Sequence, residues 1–140
     1  MLSQADNQRL TKVGAGTPMG EMLREIWTPA VRSASLVADG APKPFRLLGE
    51  NLVAFRSNSG AVGVFARSCP HRCASLALAR NEGNGLRCIF HGWKIDVSGK
   101  VVDVPTEPLE RREAFAADKL PGARSRWDGL DLHEPAKAAT

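Results

Sequence analysis

Two short motifs, Cys69-Pro70-His71 and Cys88-Ile89-Phe90-His91, each pair one thiol with one imidazole. The segment Arg72 to Arg87 separates them, and loop-forming residues surround both (Pro70, Gly83, Gly85, Gly92). Thiolate and neutral imidazole are the softer protein ligands for transition metals. Two loops that each supply one of each kind therefore suit a metal centre of mixed sulfur and nitrogen ligation. Cys and His each account for 3 of 140 residues, so four fixed positions match by chance with probability roughly 2 in ten million, well below the usual false-positive rate of short motifs. A structural zinc site is the alternative metal reading. Zinc fingers typically group two Cys at C-x2-4-C and two His at H-x3-5-H, whereas each loop here is mixed. A zinc-stabilised binding module stays open on the residues alone, but it is the poorer fit.

Composition narrows the rest. A chain of 140 residues holds one small domain with a core. Its net charge of +4 is mild and its basic residues are scattered, which gives no footprint for nucleic acid. No apolar run approaches the roughly 18 residues of a membrane span, and the N-terminus lacks a signal peptide's apolar stretch. No membrane association and a cytoplasmic location are therefore expected. The third thiol, Cys73, has no partner for an intrachain disulfide once Cys69 and Cys88 serve as ligands. It reads as a small loop side chain, with redox sensing or tuning of the centre as the other possibility. The third imidazole, His133, lies in a polar tail and reads as a surface residue. An oxygen-activating iron site needs two histidines and a carboxylate, so with His71 and His91 committed this chain holds no catalytic residues for one.

The elements that must position the two motifs are mostly strands. Ser3 ahead of Asp6 signals a capped polar helix to about Lys12. Thr17-Pro18 reads as the cap and first residue of a second helix. Met19, Met22, Leu23 and Ile26 line one face of it, expected to pack on a sheet, until Trp27-Thr28-Pro29 stops the run. Ala30 to Ser35 suggests an edge strand, followed by strands at Phe45–Leu48, Leu52–Arg56 and Ala61–Arg67. The last of these feeds the first motif. After the second motif, Trp93–Asp96 and Val101–Val104 flank the turn Val97-Ser98-Gly99-Lys100. Small antiparallel sheets would carry the metal at the tips of paired loops, with a helical arm ahead of them.

The spacing Cys-x-His, then Cys-x2-His, resembles that of Rieske iron–sulfur domains, in which two cysteines hold one iron of a [2Fe–2S] cluster and two histidines hold the other. The segments TPMGEMLREIWTPA, LLGENLVAFR through VFARSCPHR, and LRCIFHGWKIDVSGKVVDVPTEP extend the likeness. Together they look like the N-terminal domain of aromatic-ring hydroxylating oxygenases of the phthalate dioxygenase oxygenase-component type, which also resembles vanillate demethylase oxygenase. The match covers about residues 1 to 108. The resemblance implies a mainly β, Rieske-type fold and one cluster on Cys69, His71, Cys88 and His91. It also implies electrons from a flavin and iron–sulfur reductase and delivery to a mononuclear iron in a following catalytic domain. Backbone N–H groups of Arg72, Gly92 and Trp93 are the expected donors to the sulfurs. Respiratory Rieske proteins add a disulfide and a membrane anchor, and neither pattern is present here. A potential at the low end of the Rieske range, about −150 mV, follows.

The expected organisation is a helical arm over residues 1–29, the cluster domain over 30–108, and a tail over 109–140 that departs from the family. Reading the codons from their second base, Trp127-Asp128 gives Gly, and degeneracy permits VRDRGGMVWTYMN over this region, a string like the family's closing strands. A shift of frame near Ala117 to Lys119 would account for the tail and for the missing catalytic domain. A standalone Rieske-type ferredoxin is the other electron-transfer reading, and the helical arm weighs against it.

Overall fold

The computed structural model describes residues 1–26, 28–108 and 110–111, and the backbone of 130–131. The expectations for Trp27, His133 and most of the tail fall outside the described residues.

The arm is two short helices, α1 (Gln4–Thr11) and α2 (Pro18–Arg24). Ser3 caps α1 by accepting the Asp6 N–H, and Thr17 caps α2 by accepting the Gly20 N–H, with Pro18 at the first helical position. Both caps satisfy amides that a helix start leaves without partners. The expected packing of the α2 apolar face on a sheet is not what forms. Met22 and Ile26 are about half exposed, at 51% and 52%, and Gly20 is the buried residue of the helix. The helices pack on each other instead. The arm reaches the sheet through Arg24, whose guanidinium donates to the carbonyls of Gly20 and Leu48 and pairs with Glu50 at 2.8 Å.

The chain then forms β1 (Thr28–Pro29), which pairs in parallel with β9 (Leu130–Asp131). The strand expected at Ala30–Ser35 is instead coil ending in a 3-10 turn at Ser33–Ser35. Arg56 explains why: its guanidinium takes the carbonyls of Leu36 and Ser33 and the Ser33 hydroxyl, which curls the segment.

Two antiparallel sheets follow. The first, in the order β2-β3-β4, is built from Lys43–Leu47, Glu50–Arg56 and Val62–Ala66. The second, in the order β5-β6-β7-β8, is built from Arg80–Glu82, Gly85–Arg87, Lys94–Asp96 and Val101–Asp103. Central strand β3 buries Leu52, Val53, Ala54 and Phe55 in succession, which accounts for its apolar run without alternation. Phe55 faces Gly63 across the ladder. A side chain at Gly63 would run into that ring, so the glycine makes room for the larger residue. Asn81 joins the sheets by donating to the carbonyls of Gly40 and Arg56 at 2.9 and 2.8 Å.

One apolar cluster runs from Val53, Phe55 and Phe65 through Leu76, Leu86 and Ile95 to Cys69, Cys88 and Trp93. The two motifs are thus rooted in the core and not held on mobile surface loops. Burial of this kind is worth about 25 cal/mol per Å² of apolar surface.

Candidate metal centre

The two motif loops are closed by the same hydrogen bonds. In the first, the Cys69 N–H donates to the Ala74 carbonyl at 2.8 Å and the Cys73 N–H to the Cys69 carbonyl at 2.9 Å. In the second, the Cys88 N–H donates to the Trp93 carbonyl at 2.9 Å and the Gly92 N–H to the Cys88 carbonyl at 3.0 Å. The residue four past each cysteine is left-handed: Cys73 at φ 55 and Gly92 at φ 75. Cys73 therefore occupies in the first loop the place that glycine takes in the second. It is exposed, and its left-handed backbone turns the chain there.

This repeated turn buries both remaining thiols, at 2% and 3% exposure. Neither forms a disulfide, and the two lie within hydrogen-bonding reach of each other. Burial pushes the Cys69 thiol up to about 11. The His71 N–H aimed at its sulfur opposes that shift, the neighbouring Cys88 adds to it, and the Arg72 N–H opposes it again. The imidazoles form a second pair, their ring centroids 4.5 Å apart at 73°. His71 also lies flat on Trp93, 4.6 Å away at 3°. Trp93 is fixed in turn by donating to Thr106 Oγ1 at 3.2 Å. Phe90 packs on His91 at 4.0 Å. Desolvation, then the charges of His71 and Arg72, hold His91 below the ordinary imidazole range, which favours the neutral form that a metal ligand needs.

One polar atom here lacks a partner. His71 Nδ1 is buried and has no hydrogen bond, a state that costs about 1–3 kcal/mol unless something else takes the nitrogen. Among the described residues no three His, Cys, Asp or Glu side chains gather as the shell of one ion. The donors come instead as a buried sulfur pair and an imidazole pair, the division that a binuclear Rieske centre requires. By type, burial and pairing, the residues fit that group.

The Arg72 N–H points at the Cys69 sulfur, joined by that of His71, which sequence reasoning did not single out. The Gly92 N–H is given to the Cys88 carbonyl, and Trp93 lies against His71 as a packed ring. Two further features were not anticipated. Pro105 closes over the second loop, so that a Cβ on Gly92 would lie 2.8 Å from its Cγ. Arg87 donates to the Gly92 carbonyl at 2.6 Å. A charged residue placed directly before a buried cysteine was the available signal for the latter. A cleft of about 400 Å³ on the arm, lined by Leu2, Leu10, Met19 and Met22 among others, involves none of these side chains.

Known proteins agree with this architecture. Residues 26–113 match the Rieske [2Fe-2S] domain family. The chain is 55% identical over 101 residues to the 3-chlorobenzoate-3,4-dioxygenase oxygenase subunit of Comamonas testosteroni, covering 72% of this chain and 23% of that protein. It is 48% identical over 131 residues to the phthalate 4,5-dioxygenase oxygenase subunit of Pseudomonas putida, covering 93% and 30%. A chain of the solved oxygenase–ferredoxin complex of carbazole 1,9a-dioxygenase superposes with a TM-score of 0.53 at 26% identity, over 64% of this chain and 23% of that one. The chain thus spans less than a third of the length of these relatives. No helix among the described residues is long and apolar enough to cross a membrane. With a family match over most of its described length and a mainly β fold of the same kind, the chain belongs to the Rieske [2Fe–2S] domain family, whose cofactor is one Rieske-type [2Fe–2S] cluster.

Proposed function

We propose that this chain is an electron-transfer domain in which Cys69 and Cys88 hold one iron of the cluster and His71 and His91 hold the other. The observation that carries this reading is the buried, partnerless Nδ1 of His71 beside the second imidazole, across the loops from a buried pair of free thiols. When bound, the cluster stores and releases a single electron. The N–H groups of His71 and Arg72 stabilise negative charge on the Cys69 sulfur. Burial of the thiols keeps water from them. The imidazoles, less deeply buried than the thiols, provide the short route between the centre and a partner.

The proposed donor is a flavin and iron–sulfur reductase, and the proposed acceptor is the mononuclear iron of a following catalytic domain, as the resemblance to aromatic-ring hydroxylating oxygenases implies. The complex of a similar oxygenase with its ferredoxin supports electron delivery by a separate protein. We place the protein in the cytoplasm, with residues 1–29 as an arm, 30–108 as the cluster domain and 109–140 as a tail. The phthalate dioxygenase match is long enough to run past residue 113, so part of the tail aligns with that relative. The downstream DNA tests the shift of frame: a second frame that does not continue into a catalytic-domain reading ends that idea.

The test of function is reconstitution of the chain with iron and sulfide under reducing conditions. Two irons and two sulfides per chain, with a Rieske-type electron paramagnetic resonance (EPR) signal on reduction, are expected. One bound zinc and no signal would overturn the proposal.

A further inference from the structure

The outer face of the second sheet carries a row of charges that conflicts with ordinary sheet chemistry. Arg80 pairs across the ladder with Arg87, Arg87 with Lys94, and Lys94 with Asp103. Three cations thus stand side by side on adjacent strands, and like charges placed directly opposite each other destabilise a sheet. The conflict centres on Arg87. Two carboxylates offset it: Glu82 accepts from Nε at 2.7 Å and Asp103 from Nη1 at 2.9 Å. Local conflicts that a protein retains and compensates mark functional positions more often than structural ones. Here the compensated group has a third bond, from Nη1 to the Gly92 carbonyl at 2.6 Å.

That carbonyl is well placed to matter. It belongs to the Gly92–Trp93 peptide, a rigid plane between His91 on one side and the ring stacked on His71 on the other. A hydrogen bond that fixes this plane fixes the second loop relative to the first. The first loop has no equivalent arginine: Ser68 precedes Cys69, where Arg87 precedes Cys88. There the loop is drawn together by the backbone bridge between Ser68 and Ser75 and by the Leu76 N–H donating to the Arg67 carbonyl at 2.7 Å.

We infer that Arg87 is a positioning residue for the cluster, a latch that holds the second ligand loop through the Gly92 carbonyl while Glu82 and Asp103 hold the guanidinium in place. Its hydrogen bonds go to Glu82, Asp103 and the Gly92 carbonyl and to none of the four proposed ligand side chains, so it acts through the loop. The inference rests on the proposed ligand set. Its role predicts that geometry at the centre, and not only overall stability, depends on a side chain on the far face of the strand.

The test compares the full reconstituted chain with Arg87→Met, Arg87→Lys and Asp103→Asn. For Arg87→Met, iron release to a chelator should be about 10-fold faster or more, the scale seen when supports of metal ligands are removed. Its EPR lines should broaden and its midpoint potential should move. Arg87→Lys keeps the charge but lacks the fork that reaches three acceptors, so it should not restore the line shape. Asp103→Asn leaves the latch bond in place and should show a smaller change in the same direction. If Arg87→Met folds with wild-type EPR, potential and release rate, the inference is wrong. A lower melting temperature with those three unchanged also overturns it, because it would show a purely structural role. If Arg87→Met fails to fold, the line shapes of Arg87→Lys and Asp103→Asn decide, and wild-type spectra in both would overturn the latch. A wild-type chain that itself shows no Rieske signal would instead remove the proposed function.

Discussion

At the scale of single residues, the two left-handed positions that close the ligand loops differ in cost. Gly92 adopts φ 75 without a steric penalty, whereas Cys73 at φ 55 carries a Cβ there, which costs roughly 1–2 kcal/mol. Cys73→Gly is therefore expected to leave the EPR signal intact. It should raise stability by up to about 1 kcal/mol, because the flexibility of glycine in the unfolded chain offsets part of the gain. Cys73→Val should lose about 1–3 kcal/mol through its branched Cβ. Denaturant unfolding measures both, and a stabilising valine would show that the turn is not under strain. His91→Ala tests the ligand set directly. It should abolish the Rieske signal and cut retained iron at least about 10-fold.

At the scale of elements, the hairpin that carries the second loop is sensitive on both of its faces. Gly85 sits where a Cβ would run into the Ile95 carbonyl and the Asp96 Cα, which are backbone atoms that cannot turn aside. Gly85→Ala should thus cost about 2 kcal/mol or more by parting β6 from β7, and it should lower cluster retention with it. On the outer face, hydrogen bonding to Arg87 holds the Glu82 carboxyl below its usual value. The sign follows from linkage. A carboxylate with a depressed folded value contributes stability above its unfolded pKa, and that contribution is lost as pH falls through the folded value. The wild type should consequently lose stability on acidification more steeply than Glu82→Gln. Parallel curves from unfolding at several pH values would refute the pairing as a source of stability. The adjoining hairpin, β5–β6, is where the sequence was hardest to read. Glu50–Arg56 and Val62–Ala66 were legible because they are long and apolar and flank a Ser-Asn-Ser-Gly turn. Arg80–Glu82 and Gly85–Arg87 are three residues each and mostly polar or glycine, so periodicity had nothing to register. The ligands were legible for the opposite reason, since their residue types are rare and their spacing is fixed by the turn. The edge strand expected at Ala30–Ser35 failed because Arg56, a distant residue, claims the Ser33 carbonyl and the Leu36 carbonyl just beyond it.

At the scale of the whole molecule, Arg24 joins the arm to the cluster domain, its side chain only 8% exposed while paired with Glu50 and bonded to the Leu48 carbonyl at 3.2 Å. Gly49 comes close to Gly14 beside it. Charged hydrogen bonds of this kind are worth about 1.5–3 kcal/mol each, enough to dock two short helices that bury little apolar surface on their own. Helices of eight and seven residues are too short to persist in water without such support. Arg24→Met should therefore release the arm as a unit. Amides of Gln4–Thr11 and Pro18–Arg24 should exchange hydrogen faster, while those of β3 and of the two ligand loops keep their protection. The sheet partners of Arg24, Leu48 and Glu50, lie outside both ligand loops, so the EPR signal and the potential, expected near −150 mV, should be unchanged. If the ligand loops lose protection together with the helices, arm and cluster domain form one cooperative body, and the division at residue 29 does not hold.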